Sequence, residues 1–216
     1  MSRISVKQPI DDRLLDVAID QFGRQGLEGA STRAIAAAAR TAMSSITYHY
    51  GGKEGLYLAA ARHIAEQIRG RSALADSPNP IGLEPGAAIE AILAWVDTFL
   101  QIMLSPESEP WARFIVREQM EPTEAFAILW DEVMSQLTVR LVALVRRAGD
   151  GHWNEAQARI RSVALIGQVL VFRVARAAAL RITRWDDIDA RHHAEIRRVI
   201  HANVRAFLTS HEDISA

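Results

Sequence analysis

The chain has 216 residues, 49% of them hydrophobic and 24% charged, which excludes general disorder and suits a large domain or a small one joined to a larger one. It has no cysteine, which removes disulfide frameworks, thiolate nucleophiles and cysteine-ligated metal centres and fits a reducing compartment. The net charge of −1 gives no global attraction to polyanions, so any contact with nucleic acid must come from a local patch.

The start, Met1 to Lys7 followed by Asp11 and Asp12, is too polar for a secretory signal. The stretch 163–172, read as the most apolar and interrupted by Gln168, is shorter than the roughly 18 residues a membrane span needs. The expectation is a soluble cytoplasmic protein with no membrane partner. Lysine appears only at Lys7 and Lys53, so arginine supplies 23 of the 25 basic residues, a bias read as base composition.

Apolar residues recur at spacings of three and four almost throughout, and no run alternates long enough for a strand, so the expected class is all-α. A first helix should open at Pro9, complement its dipole with Asp11 and Asp12, turn Leu14, Leu15, Ala18, Ile19 and Phe22 inward, and stop at Gly26. Ser31 reads as the N-cap of a short helix over 32–39 that buries Ile35, Ala38 and Ala39. A third short helix covers 43–50, and Gly51 and Gly52 break the chain before a longer helix from Lys53 to about Ala73. The segment 76–85 (DSPNPIGLEP) cannot continue it. Further helices are expected over 86–104, 111–120, 123–147, 154–181 and 187–208. The expected organisation is a three-helix helix-turn-helix unit, residues 1–55, followed by a helical bundle, residues 56–216.

The second and third helices, joined by a tight turn, match the helix-turn-helix plan. Between Glu28 and Glu54 there is no acidic residue, while Arg33, Arg40 and Lys53 supply charge and Ser31, Thr32, Ser44, Ser45, Thr47, Tyr48 and Tyr50 supply hydroxyls. Phosphate contacts need cations, hydroxyls and backbone N–H groups, and an inserted helix reads base edges. The bland alternative is a small helical subdomain with a solvated polar face.

The segments 14–39 (LLDVAIDQFGRQGLEGASTRAIAAAA) and 44–60 (SSITYHYGGKEGLYLAA) carry an aliphatic-x-aromatic-His-aromatic-x-x-Lys-Glu-x-Leu pattern from Ile46 to Leu56. In these residues the chain resembles the DNA-binding domain of TetR-family transcriptional regulators. The wording YHYGGKEGLY and the segment 116–126 (VREQMEPTEAF) further resemble a CecR-like subgroup. The resemblance implies that Thr32 and Arg33 meet backbone phosphate, that Met43, Ser44, Ser45 and Thr47 face the major groove, and that Tyr48 and His49 point toward phosphate or base. It implies a phosphate contact for Lys53 at a helix N-terminus and a packing role for Tyr50. Two departures stand out: Arg40, Thr41 and Ala42 replace the family's usual Gly-Val-Ser turn, and Thr47 stands where many members carry tyrosine. Arg40 must then adopt a left-handed backbone, and Ala42 lacks the usual capping hydroxyl unless Thr41 or Ser44 substitutes; Arg40 could also add a phosphate contact.

In the C-terminal part, Trp95, Phe99 and Met103, and likewise Phe126, Trp130 and Met134, fall on single helical faces, with Trp111 and Phe114 between them. Plain core accounts for any one of them. Together they suit a pocket for an apolar or aromatic effector, with Arg117, Glu118, Gln119, Gln168, Phe172, and Arg173 or Arg176 as further candidates. The last two long helices carry apolar stripes: Ile160, Val163, Ala164, Gly167, Leu170, Val171, Val174 and Ala178, then Ile196, Val199, Ile200, Val204, Phe207 and Leu208. The resemblance implies that they build a two-fold homodimer that reads a palindromic operator on double-stranded DNA, released when the effector binds.

Two other classes compete with this reading. Asp186, Asp187, Asp189, His192 and His193 have metal-ligand residue types at close spacing, but capping at a helix start explains them more simply. No glycine-rich phosphate loop, Gly-x-Ser-x-Gly elbow or His-Glu-x-x-His pair is present, so neither catalytic residues, a metal nor a cofactor are expected. A helical partner-binding protein without DNA activity accounts for the C-terminal half and leaves the acid-free third helix unexplained.

Overall fold

The computed structural model describes residues 10–71 and 79–210. The expected opening at Pro9, the end near Ala73 and positions 76–78 of the expected break lie outside the described residues. Among the described residues there is no strand. The helices run α1 (Ile10–Gly29), α2 (Thr32–Ala38), α3 (Met43–Tyr50), α4 (Lys53–Arg71), α5 (Pro85–Leu104), α6 (Glu109–Met120), α7 (Glu124–Leu129), α8 (Ser135–Ala148), α9 (Glu155–Val174), α10 (Arg176–Thr183) and α11 (Ala190–Thr209). A 3-10 turn at Pro106–Ser108 precedes α6, and a π-helical turn at Trp130–Met134 separates α7 from α8.

The chain divides into two compact units. One comprises the residues up to Ile68 together with Glu109–Val133, the other Arg69–Ser108 with the residues from Met134 onward. Position 55, where the sequence reading ends its first domain, sits in the first turn of α4, within the first unit.

In the first unit α1 buries Leu14, Ala18, Ile19 and Phe22, and α6 lies along it and contributes Trp111, Ala112 and Phe114. Full burial of a side chain such as Phe22 contributes about 1.5–3 kcal/mol. The helix expected to stop at Gly26 is kinked there instead, with φ 73°, and one more short turn follows to Gly29. The positive φ at Gly26 favours glycine, and a Cβ there would stand 2.8 Å from a terminal nitrogen of Arg117, displacing that guanidinium. The N-cap at Ser31 is present: its hydroxyl accepts from Ala34 N at 3.4 Å. The buried face of α2 is Ile35, Ala36 and Ala39. Ala38 is exposed, correcting the expectation, because the inward phase runs through i, i+1 and i+4 from Ile35.

In the second unit Ile92, Val96 and Leu100 of α5 pack with Leu141, Leu144 and Val145 of α8, Leu165 and Val169 of α9, and Ile200, Val204 and Leu208 of α11. Asp97 accepts from Arg197 at 2.7 and 2.8 Å and has His201 Nε2 at 2.6 Å, while Arg205 grips Glu90 at 2.8 Å, fixing α11 on α5. Partial burial is the largest effect on the Asp97 carboxyl and pushes its pKa up, but Arg197 and His201 together hold it below the ordinary value.

Several boundaries differ from the sequence reading. The helix expected over 123–147 is interrupted by the π turn. The one expected over 154–181 bends by 85° at Ala175, without glycine or proline. Side-chain anchors on either side of the bend differ: Arg173 donates to Ser105 O at 2.6 Å and Ser108 Oγ at 2.9 Å, while Arg176 pairs with Asp187. Helix α5, with mean hydropathy 1.6 over its most apolar window, is long and apolar enough to cross a membrane, a segment the sequence reading did not single out. Eight of its residues, from Ala88 to Met103, are buried in the second unit, as in a core helix.

Candidate nucleic-acid interface and effector residues

Helix α3 is fixed from both ends. Ile46 is buried and Tyr50 half-buried, which turns Met43, Ser44, Thr47, Tyr48 and His49 outward; Tyr48 is 85% exposed. Ser45 is half-buried. Beyond α3, Gly51 takes φ 75° and its N–H donates to Thr47 O at 3.0 Å. A Cβ on Gly55 would stand 1.7 Å from Tyr50 O, so the close approach of α3 and α4 requires glycine.

The turn from α2 to α3 uses Arg40 with φ 53°, as the substitution of the usual glycine implies. Thr41 N donates to Ala36 O at 2.9 Å and Arg40 N to Ala37 O at 3.1 Å, the paired bonds of a Schellman motif. Arg13 of α1, which the sequence reading missed, adds a third contact: its Nε donates to Ala39 O at 2.9 Å. Ala42 caps α3 with no side-chain bond, so neither Thr41 nor Ser44 takes the place of the missing hydroxyl.

Arg33 and Arg40 are exposed, and no described residue offers either an ion pair. Thr32 is half-buried in the first turn of α2. Lys53 is placed differently from a free phosphate ligand: its ammonium donates to Glu28 O at 2.8 Å, at the end of α1. An ammonium has three protons, which leaves two for another acceptor.

The effector candidates are distributed over both units. In the second, Trp95 stacks on Phe99 with centroids 5.1 Å apart, Met103 is buried, and Phe172 and Met134 are half-buried. Gln168 has a buried Oε1 with no hydrogen-bond partner. In the first, Phe126 stacks on the exposed Trp130 at 6.3 Å, and Trp111 is buried with an unpartnered Nε1. Phe114 is core there, 4.6 Å from the Tyr57 ring, and Arg117 is seated at Gly26. A surface groove of about 510 Å³ between Ile81 and Val139 is lined by none of the candidates.

Polar residues expected at this site are already engaged. Glu118 is 1% exposed; it accepts from Tyr57 Oη at 2.6 Å, Thr123 N at 3.0 Å and Thr123 Oγ1 at 2.9 Å. Burial first, then this bond, raises the Tyr57 pKa well above its ordinary value. The acid- and histidine-rich segment is a helix start: Asp189 caps α11 through His192 N at 2.9 Å, and Asp187 accepts from Ile188 N and pairs with Arg176. No group of three or more potential metal ligands occurs among the described residues.

On helix α9, Ile160, Val163, Ala164, Gly167, Val171 and Val174 form an exposed stripe; Ile160 is 69% and Val163 68% exposed. The expected stripe on α11 faces the other way: Ile196, Ile200, Val204 and Leu208 are buried in the second unit's own core, leaving Val199 outside.

Comparison with known proteins agrees with this geometry. Residues 14–60 match the model of the tetR family of bacterial regulatory proteins, and residues 88–210 that of the C-terminal domain of the HTH-type transcriptional dual regulator CecR. CecR of Shigella flexneri is 31% identical over 204 residues, covering 91% of this chain and 90% of that protein. Among solved structures, a TetR-like transcriptional regulator from Rhodococcus sp. RHA1 has a TM-score of 0.64 at 20% identity, covering 94% of this chain and 98% of that one. AibR in complex with isovaleryl coenzyme A and operator DNA has a TM-score of 0.65 at 18% identity, covering 90% and 97%. These relatives are regulators, not enzymes. The chain belongs to the TetR family of DNA-binding transcriptional regulators, with a C-terminal domain of the CecR type.

Proposed function

We propose that two copies of this chain form a cytoplasmic homodimer that represses transcription from a palindromic operator and releases it when a small apolar or aromatic effector binds the C-terminal bundle. The observation that carries the reading is the outward, acid-free face of α3, flanked by the unpaired Arg33 and Arg40. Thr32, Arg33, Arg40 and Lys53 meet phosphate, Met43, Ser44, Ser45 and Thr47 read base edges, and Tyr48 and His49 contact phosphate or base. The exposed stripe on α9 supports association with a second copy, since a stripe of that composition is costly to leave in water. A two-fold dimer sets the half-sites one helical turn, or a multiple, apart.

Trp95, Phe99, Met103, Gln168 and Phe172 in one unit and Trp111, Phe126 and Trp130 in the other are the effector-contact candidates. Within the second unit, the unpartnered Gln168 Oε1 favours a ligand that donates a hydrogen bond. AibR, crystallised with an acyl thioester and operator DNA, supports an effector-linked mode; the description of CecR as a dual regulator leaves activation of other promoters to a reporter assay.

The test is binding of the purified protein to labelled DNA from upstream of its own gene, in a salt series with non-specific competitor. Saturable binding that survives competitor and weakens with salt supports the reading. Absence of binding at every salt concentration, with the fold intact, favours the partner-binding alternative.

A further inference from the structure

We infer that Arg161 is the centre of a small-oxyanion site, built by the α8–α9 corner and the end of α11, that takes a carboxylate or phosphate from solution. The side chain points inward from α9 and keeps 7% of its surface exposed. Its guanidinium carbon lies 4.3 Å from the Trp153 ring centre and 5.4 Å from that of Phe207. Trp153 is pressed against Gly149, where a Cβ would stand 2.3 Å from the indole.

Among the described residues the seat lacks an anion. Arg161 Nε is buried without a hydrogen-bond partner, and no described residue forms an ion pair with the guanidinium. The acids nearest in sequence are committed elsewhere: Asp150 to Arg147 at 3.1 Å and Glu155 to Arg159 at 2.6 Å. On the α11 side Arg205 holds Glu90 at 2.8 Å. Arginine is rarely this buried without a carboxylate, because unmet donors and an uncompensated charge both cost free energy. Contact with aromatic faces offsets part of that cost, but a methionine would fill the same space without incurring it.

Stacking on a ring uses the face of a guanidinium and leaves its edge, which carries all five N–H donors in one plane. That edge fits the two oxygens of a carboxylate or phosphate. Unlike Nε, the terminal nitrogens are not among the buried unpartnered atoms, so they meet solvent and an ion can reach them. An ion held there ties Trp153, Arg161 and Phe207 together and stabilises the second unit.

The experiment titrates the full-length protein with sodium acetate and, separately, sodium phosphate against sodium chloride at matched ionic strength, following Tm and tryptophan emission. The expected result is a saturable rise in Tm with either oxyanion beyond the rise with chloride. An accompanying change in emission disappears in W153F, and both effects disappear in R161M. R161K keeps the charge without the fork and is expected to bind at least tenfold more weakly; it serves also if R161M fails to fold. An equal rise with chloride, no saturable response, or an undiminished response in R161M or R161K would overturn the proposal.

Discussion

The hydroxyl of Tyr57 donates a 2.6 Å hydrogen bond to Glu118 Oε1, joining α4 to α6 inside the first unit, where both side chains are almost wholly buried. The other carboxylate oxygen holds Thr123, the N-cap of α7, through its N–H and its hydroxyl. One buried acid therefore organises three helices with neutral donors. Removing the phenol in Y57F should cost about 1.5–3 kcal/mol, the range for a hydrogen bond to a charged group, read from urea melts. Because the pKa of Tyr57 is raised on folding, its contribution is complete below the ordinary value of 10.0 and fades as pH climbs through the raised one. Y57F should be insensitive to that alkaline loss.

Arg40 holds the Schellman turn at φ 53°. Replacing it with glycine relieves about 1 kcal/mol of backbone strain, so R40G should melt a few degrees higher than the parent. If Arg40 also meets a phosphate, the same variant should lower the slope of log K against log salt by about 0.9 in DNA binding. A lower melting temperature would mean that the Arg40 side chain, and not the turn geometry, stabilises this corner.

His63 Nε2 lies 3.4 Å from Asp16 Oδ1 and links α4 to α1. The hydrogen bond to Asp16 raises the imidazole pKa, outweighing partial burial, which lowers it. Stabilisation from the pair is thus fully present below the ordinary value of 6.5 and is lost as pH rises through the raised one. The stability difference between the parent and D16N should be large at pH 5.5 and should shrink toward pH 8.5; a difference that does not change with pH would show that the imidazole stays neutral.

Val163 stands in the exposed stripe of α9. If two copies pair through this stripe as proposed, V163E should leave the helical content unchanged and shift the protein from dimer to monomer in sedimentation, because association would bury a charge without a partner. A dimer that persists unchanged would place the interface elsewhere.

Local signals were legible wherever the backbone itself was constrained. Ser31 and Arg40 revealed a cap and a left-handed turn, because those conformations depend on one residue's chemistry, and Gly26 marked a break that the chain carries as a kink. What depended on partners distant in sequence was not legible. Nothing around Ala175 announces an 85° bend, since Arg173 and Arg176 find different anchors after folding. Glu118 read as a polar contact for an effector because its donors, Tyr57 among them, come partly from another helix. Arg161 did leave a trace: it shares an inward phase with Ala158 and Leu165, but a charged residue in such a row is easily assigned to solvent.

The absence of a side chain at Gly55 also bears on how this protein changes its grip on DNA. With Tyr50 O occupying the place of the missing Cβ and Gly51 closing onto Thr47, the reading helix and the first turn of α4 are interlocked like a key cut into its own handle. No room for a Cβ remains between the end of α3 and the first turn of α4. If α3 reads bases as proposed, it and the start of α4 would move together, and a G55A substitution that loosens this joint should blur base selection more than it alters effector affinity.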